Sequence, residues 1–171
     1  MKFSANRSEM LPIIKRCCLV IGRQFLAKEK VCILMEADKD HNHVQFTAMG
    51  NECVLQARLN CYVEHGGKAM MIGSVLQSML ELFRDEVTIV ETDDTMISVR
   101  NAKTGYSFAL MDAKKYPVPE PCTPESLSEA DGFCEISSKV LFSASKDASK
   151  GLRALNCVRV TVHDGQWSAT S

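Results

Sequence analysis

The chain has 171 residues, 46% of them hydrophobic and 24% charged, with a net charge of −1. That length accommodates roughly one domain and the start of a second, and the balance excludes a disordered or fibrous chain. Apolar stretches such as 17–21 and 31–35 fall far short of the roughly 20 residues of a membrane span, and the opening Met1-Lys2-Phe3-Ser4 lacks the apolar core of a secretory leader. A cytoplasmic protein with no membrane partner is expected.

Taken in chain order, residues 2–5 predict a strand. The spacing of Met10, Ile13, Ile14, Cys17 and Ile21 predicts a helix over 8–21, with Ser8 as its cap and Pro12 within its first turn. Apolar alternation predicts strands over 31–36, 44–49 and 53–59, joined by turns at 38–42 and 50–51. A second helix follows from Ile72, Val75, Leu76, Met79, Leu80 and Phe83, with Gly73 and Ser74 near its start. Strands over 86–91, 95–100 and 105–111 come next.

This order repeats. Residues 2–5 open one unit of strand, helix and three strands, 68–71 open a second 66 residues later, and 133–136 are expected to open a third as a strand. In the third, 138–145 read as a short helix, and 155–162 with 166–170 as a hairpin turning at His163-Asp164-Gly165. Pro117, Pro119, Pro121 and Pro124 mark a stiff polar linker. The expected domains are 1–118 and an incomplete 132–171, with 119–131 between them. Two such units bury their apolar faces by joining antiparallel sheets edge to edge with both helices on one side, an α+β arrangement that leaves one helical surface free.

The near-neutral total conceals segregated charge. Residues 1–30 carry seven basic and two acidic residues, a net +5, and 139–159 carry five basic and one acidic, a net +4. The stretch 31–138 holds 8 basic and 17 acidic residues, a net −9. Positive charge confined to the helical segments of an acidic body suits contact with a phosphate backbone along one surface. The second helix is poorer: its polar face offers Ser74, Gln77, Ser78 and Glu81, with Arg84 the nearest base. Scattered aromatics and a single tryptophan provide no stacking platform for unpaired bases.

The eight cysteines form no CxxC and match no zinc-ribbon spacing, so they read as reduced small hydrophobes. Cys17 or Cys18 with His41, His43, His65 or His163 is the conceivable nucleophile and base of an enzyme, but no local signature supports it, and a thiol on a helix's core face is inert. Asp38-Lys39-Asp40-His41-Asn42 begins like a calcium loop, yet His43 and Met49 stand where that loop needs glycine and glutamate, so a hairpin turn is expected. His41 and His43 could take up an ion adventitiously; no metal and no cofactor is expected.

The chain also resembles a known family, the bacterial DNA polymerase III beta subunit, or sliding clamp. The opening Met1-Lys2-Phe3-Ser4 with Arg7-Ser8-Glu9-Met10-Leu11 is similar to the family's first strand and helix. Tyr106-Ser107-Phe108-Ala109-Leu110 and Asp112-Ala113-Lys114-Lys115-Tyr116-Pro117 resemble the exit of its first domain, and Phe142-Ser143-Ala144-Ser145-Lys146-Asp147 with Leu155-Asn156-Cys157-Val158 the entry to its second. The resemblance implies the DNA clamp (processivity) fold, with helices lining a hole and sheets outside. It also implies a non-catalytic replication subunit that encircles double-stranded DNA without base readout and tethers the replicative polymerase. Full-length members have three such domains, close as homodimer rings and work with a clamp loader.

Residue by residue, the resemblance implies that Arg23 contacts DNA. Lys150 and Arg153 occupy the segment where the second domain approaches the duplex, and Lys15 and Arg16 are candidates from helix position and charge. Ser74 stands near where many members carry a base. Because the sequence ends at Ser171, inside the second domain, a ring closed by this chain alone is not expected, and uncovered strand edges are expected to cause self-association. The alternative is a truncated clamp-like interaction protein that does not encircle DNA.

Overall fold

A computed structural model of the chain describes residues 1–21, 31–50, 53–117, 133–140, 158–163 and 166–170. The chain divides into two compact units, Met1–Glu120 and Pro121–Ser171.

In the first unit, β1 (Lys2–Asn6) runs directly into α1 (Arg7–Ile21). The cap is Asn6, where Ser8 was expected: the amide and hydroxyl of Ser8 both donate to Asn6 Oδ1, at 3.0 and 2.8 Å. A side-chain oxygen one residue before the helix meets the second free amide of the first turn, and Asn6 holds that position as the strand ends. Pro12 is the sixth residue of α1, one turn later than expected, and it is exposed. Its ring offers no amide to the Ser8 carbonyl one turn earlier, which is tolerated because Ser8 and Pro12 are both exposed. Met10, Ile14, Cys17 and Ile21 form the buried stripe.

The strands β2 (Cys32–Asp38), β3 (His43–Met49) and β4 (Val54–Asn60) follow, then β5 (Tyr62–His65), a short strand that the pattern reading missed. The second repeat is β6 (Gly67–Ile72), α2 (Gly73–Leu82), β7 (Val87–Thr92), β8 (Met96–Arg100) and β9 (Gly105–Ala109). A 3-10 turn at Ala113–Lys115 leads to Tyr116.

Both sheets of this unit are antiparallel, and each borrows its partner's opening strand. One has the order β5-β1-β7-β8-β9, with β1 from the first repeat beside β7 from the second; the other is β4-β3-β2-β6, with β6 from the second repeat beside β2. Apolar residues from both sheets, including Phe3, Val63, Val90 and Val99 from one and Ile33, Val44, Phe46 and Met71 from the other, share one core with Met10, Ile14, Leu76, Met79 and Leu80 of the helices. Strand alternation sends the neighbouring side chains to the opposite faces. The duplicated strand-helix-three-strand plan, with helices on one face of antiparallel sheets, is thus present as expected, with the short β5 added to the first repeat.

The second unit contains α3 (Phe133–Val140), which packs against β11 (Gln166–Thr170), and β10 (Arg159–His163), paired with β11. The expected strand over 133–136 is helical instead. Positions 133, 136 and 140 are apolar at helical spacing, and Lys139 pairs with Glu135 one turn earlier at 2.7 Å. The expected hairpin is present, but His163, expected in the turn, ends β10 and pairs with Gln166, while 155–157 of the expected first strand lie outside the described residues. The expected linker and the remainder of the 138–145 helix lie outside the described residues.

Candidate nucleic-acid interface

The outward faces of α1 and α2 are the free helical surface of the first unit. On α1, the stripe of Met10, Ile14, Cys17 and Ile21 turns inward, so Glu9, Pro12, Lys15, Arg16 and Leu19 are exposed. On α2, burial of Leu76, Met79 and Leu80 leaves Ser74, Ser78, Glu81 and Leu82 outward. Leu19 is 81% exposed and Leu82 68%, so this surface carries apolar as well as charged groups.

The fold divides the basic block of residues 1–30 among different surroundings. Lys2 lies on the face of its sheet away from the helices: its neighbours Phe3 and Ala5 are buried in the core, and its ammonium pairs with Glu64 at 2.8 Å and Glu91 at 3.9 Å. That contact, chiefly a hydrogen bond, raises the Lys2 pKa and lowers that of Glu64. Arg7 donates from Nε to the carbonyl of Leu80, an acceptor in the last turn of α2. Lys15 spans the two helices to Glu81 at 3.0 Å, and hydrogen bonds from Lys15 and Gln77 hold the Glu81 carboxyl below its ordinary pKa. Arg16 is exposed with no ion-pair partner among the described residues.

Of the five candidate DNA-contacting residues, Lys15 and Arg16 are adjacent and exposed on α1. Arg23, Lys150 and Arg153 lie outside the described residues. Sequence reasoning passed over Arg7 as a brace between the helices and Glu81 as the partner of Lys15, because each contact joins positions far apart in the chain. In the second unit, Lys139 is engaged with Glu135, and Arg159 is exposed on β10.

The thiols proposed for a nucleophile sit in the wrong surroundings for one. Burial pushes the Cys17 thiol up to about 12 and raises that of Cys18 as well. Cys61 is likewise pushed up to about 11, while Cys53 is exposed. Among the described residues, the group Asp38, His41 and His43 brings three potential metal-ligand atoms within 4.8 Å of one another. No helix among the described residues is long and apolar enough to cross a membrane.

No protein-family profile matches the chain, and no curated protein matches it in sequence. Solved structures do match in three dimensions. The DNA polymerase III subunit beta from Pseudomonas aeruginosa aligns with 99% of this chain and 46% of its own at a TM-score of 0.82 and 15% identity. The beta subunit from Streptococcus pyogenes aligns over 96% and 44% at 0.80 and 14% identity. That of Caulobacter crescentus aligns over 98% and 45% at 0.75 and 16% identity. A Helicobacter pylori beta clamp bound to a DNA ligase peptide matches 71% of this chain and 34% of its own at a TM-score of 0.64 and 17% identity. The chain spans less than half the length of these structures. Its fold is that of the DNA polymerase III beta subunit, the sliding clamp.

Proposed function

We propose that this chain serves as a clamp-type processivity element of DNA replication, a non-catalytic cytoplasmic subunit. Residues 1–118 form its first clamp domain and 132–171 part of a second, joined through 119–131. In this reading the helical face lies along duplex DNA, and Arg23, Lys15, Arg16, Lys150 and Arg153 make backbone contacts that hold the duplex without reading bases. A clamp of this kind retains its polymerase by topology, so the residues facing DNA need only attract phosphate weakly enough to slide. The observation that supports it is the likeness to a beta subunit along 99% of the chain at a TM-score of 0.82, with both helices of the first unit open to solvent.

The test is duplex affinity measured against salt concentration. The wild type is expected to lose affinity linearly on logarithmic axes, and Arg16→Glu or Arg23→Glu with Lys150→Glu to bind more weakly with a shallower slope. Affinity and slope identical to wild type would remove those residues from the surface. Glu81→Gln works the other way. It frees Lys15, so affinity is expected to rise and the slope to steepen by roughly one phosphate contact.

A second reading is favoured by how much of the basic charge is already engaged. Lys2, Arg7 and Lys15 all have partners within the protein. A clamp-like protein that joins replication partners without encircling DNA would show no salt-dependent duplex binding, yet would still associate with a full-length sliding clamp.

A further inference from the structure

We propose that the tip of the β2–β3 hairpin is a binding site for a divalent transition-metal ion, held by the Asp38 carboxylate and the imidazoles of His41 and His43. This goes beyond the clamp reading and does not depend on it. It also revises the expectation that no metal is held.

The three residues meet because of strand register. β2 ends at Asp38 and β3 begins at His43, and these two are directly paired across the hairpin. His41 belongs to the turn between them, where Asn42 takes a positive φ of 50°. His41 Nδ1 lies 2.8 Å from Asp38 Oδ2, and the His41 and His43 ring centroids are 6.0 Å apart. All three ligand atoms fall within 4.8 Å of one another. Nitrogen and oxygen ligands about 2.0–2.1 Å from a tetrahedral ion stand roughly 3.3 Å apart, so the set, with His41 exposed and Asp38 and His43 half-buried, is within about 1.5 Å of bonding geometry.

The rest of the turn holds the set in place. The amides of Asp40 and His41 donate to Asp38 Oδ1 at 2.9 and 3.1 Å, leaving Oδ2 as the oxygen that faces the imidazole. Asn42 ties the turn to the corner between β4 and β5: its carbonyl accepts from the Cys61 amide at 3.0 Å and its side chain from the Val63 amide at 3.3 Å. Such fixed outer contacts orient a ligand before the ion arrives. Beside the carboxylate lies an open pocket of about 280 Å³, lined by Glu36, Asp38, His43, Gln45 and Lys68 among others, with room for the waters that complete the coordination shell.

Two imidazoles and one carboxylate select the class of ion. Calcium and magnesium prefer all-oxygen shells, whereas zinc, cobalt, nickel and copper take imidazole readily. An ion here would add a link between the two strands at their last paired residues, Asp38 and His43.

The test titrates the full chain with cobalt(II) and, separately, with zinc in competition with a chromophoric chelator. The expected result is one equivalent bound, a visible cobalt spectrum without a thiolate charge-transfer band, and a higher melting temperature with zinc. His41→Ala and His43→Gln are each expected to weaken binding at least tenfold and to abolish the melting shift, while His65→Ala, outside the cluster, leaves both unchanged. Far-UV circular dichroism without metal checks that each variant is folded. Binding by the His41→Ala and His43→Gln double variant equal to that of wild type, or a thiolate band that places the ion on cysteine, would overturn the site.

Discussion

On the side away from the helices, the two sheets of the first unit meet different surroundings. The sheet β4-β3-β2-β6 is covered there: Cys32, Leu34, Met70 and Tyr116 form a second apolar cluster, and the Tyr116 hydroxyl donates to the Thr47 carbonyl at 3.1 Å. The sheet β5-β1-β7-β8-β9 is wet on that side. It displays Lys2 between Glu64 and Glu91, Arg100 at 3.4 Å from Glu91, and a Ser98–Ser107 hydroxyl pair at 2.8 Å. The strands record the difference directly, because β2 is apolar over four consecutive residues while β1 and β8 alternate. Two antiparallel sheets that share one core therefore differ in what they present outward: one is sandwiched by the chain that leaves β9, and the other offers a charged ladder to solvent.

The largest expected effect strikes both sheets alike. Phe46→Ala empties the shared core and is expected to cost about 3–5 kcal/mol in urea unfolding. Next, Tyr116→Ala strips the cover from one sheet only, on the order of 3 kcal/mol. If it costs no more than Lys2→Ala, the contrast between the outer faces is without energetic content.

Tyr116→Phe keeps the ring and removes the hydroxyl bond, about 1 kcal/mol. It also sharpens the comparison at high pH. Burial pushes the Tyr116 phenol from 10.0 up to about 12, so the folded form favours the neutral phenol. Its contribution is fully present below pH 10 and lost as pH rises toward 12. Cys17 and Cys61 add alkaline sensitivity that starts lower, from 9.0, and Tyr116→Phe should flatten only the upper part of a melting-temperature profile.

The smallest effect is on the wet sheet, at low pH. Glu64 is held below its ordinary 4.5, chiefly by the hydrogen bond from Lys2. Its contribution is present above 4.5 and disappears as pH falls through the depressed folded value. Lys2→Ala should reduce this acid-side dependence, by an amount that shrinks further in high salt because the pair is exposed.

Which of these features could be read in the sequence follows from how far apart the interacting residues lie. The helices and most strands were legible because their apolar spacing is local: Leu76, Met79 and Leu80 announce a helix wherever the rest of the chain goes. Asn6 was missed as a cap because it also ends a strand, and β5 because four residues after Cys61 carry too little alternation. Residues 133–136 fit either period over so short a stretch. For the candidate interface, exposure of Lys15 and Arg16 followed from the helical stripe. Their electrostatic setting did not, since Glu81 is 66 positions from Lys15 and belongs to another repeat. The hairpin cluster shows the same division: His41 and His43 stand out as neighbours, but Asp38 joins them only once the register of β2 and β3 is known.

The exchange of opening strands has a consequence for how the protein is made. The carbonyl of Met1 accepts from the Thr92 amide at 2.9 Å, so the N-terminal strand waits for most of the unit to be synthesised before its longer partner exists. High contact order of this kind slows folding, because distant segments must meet before either is rewarded. A ribosome-bound nascent chain that stops short of β7 leaves one edge of β1 without its partner, and a polypeptide cut between β5 and β6 is expected to give fragments that need each other, because β1 pairs with β7 and β6 with β2.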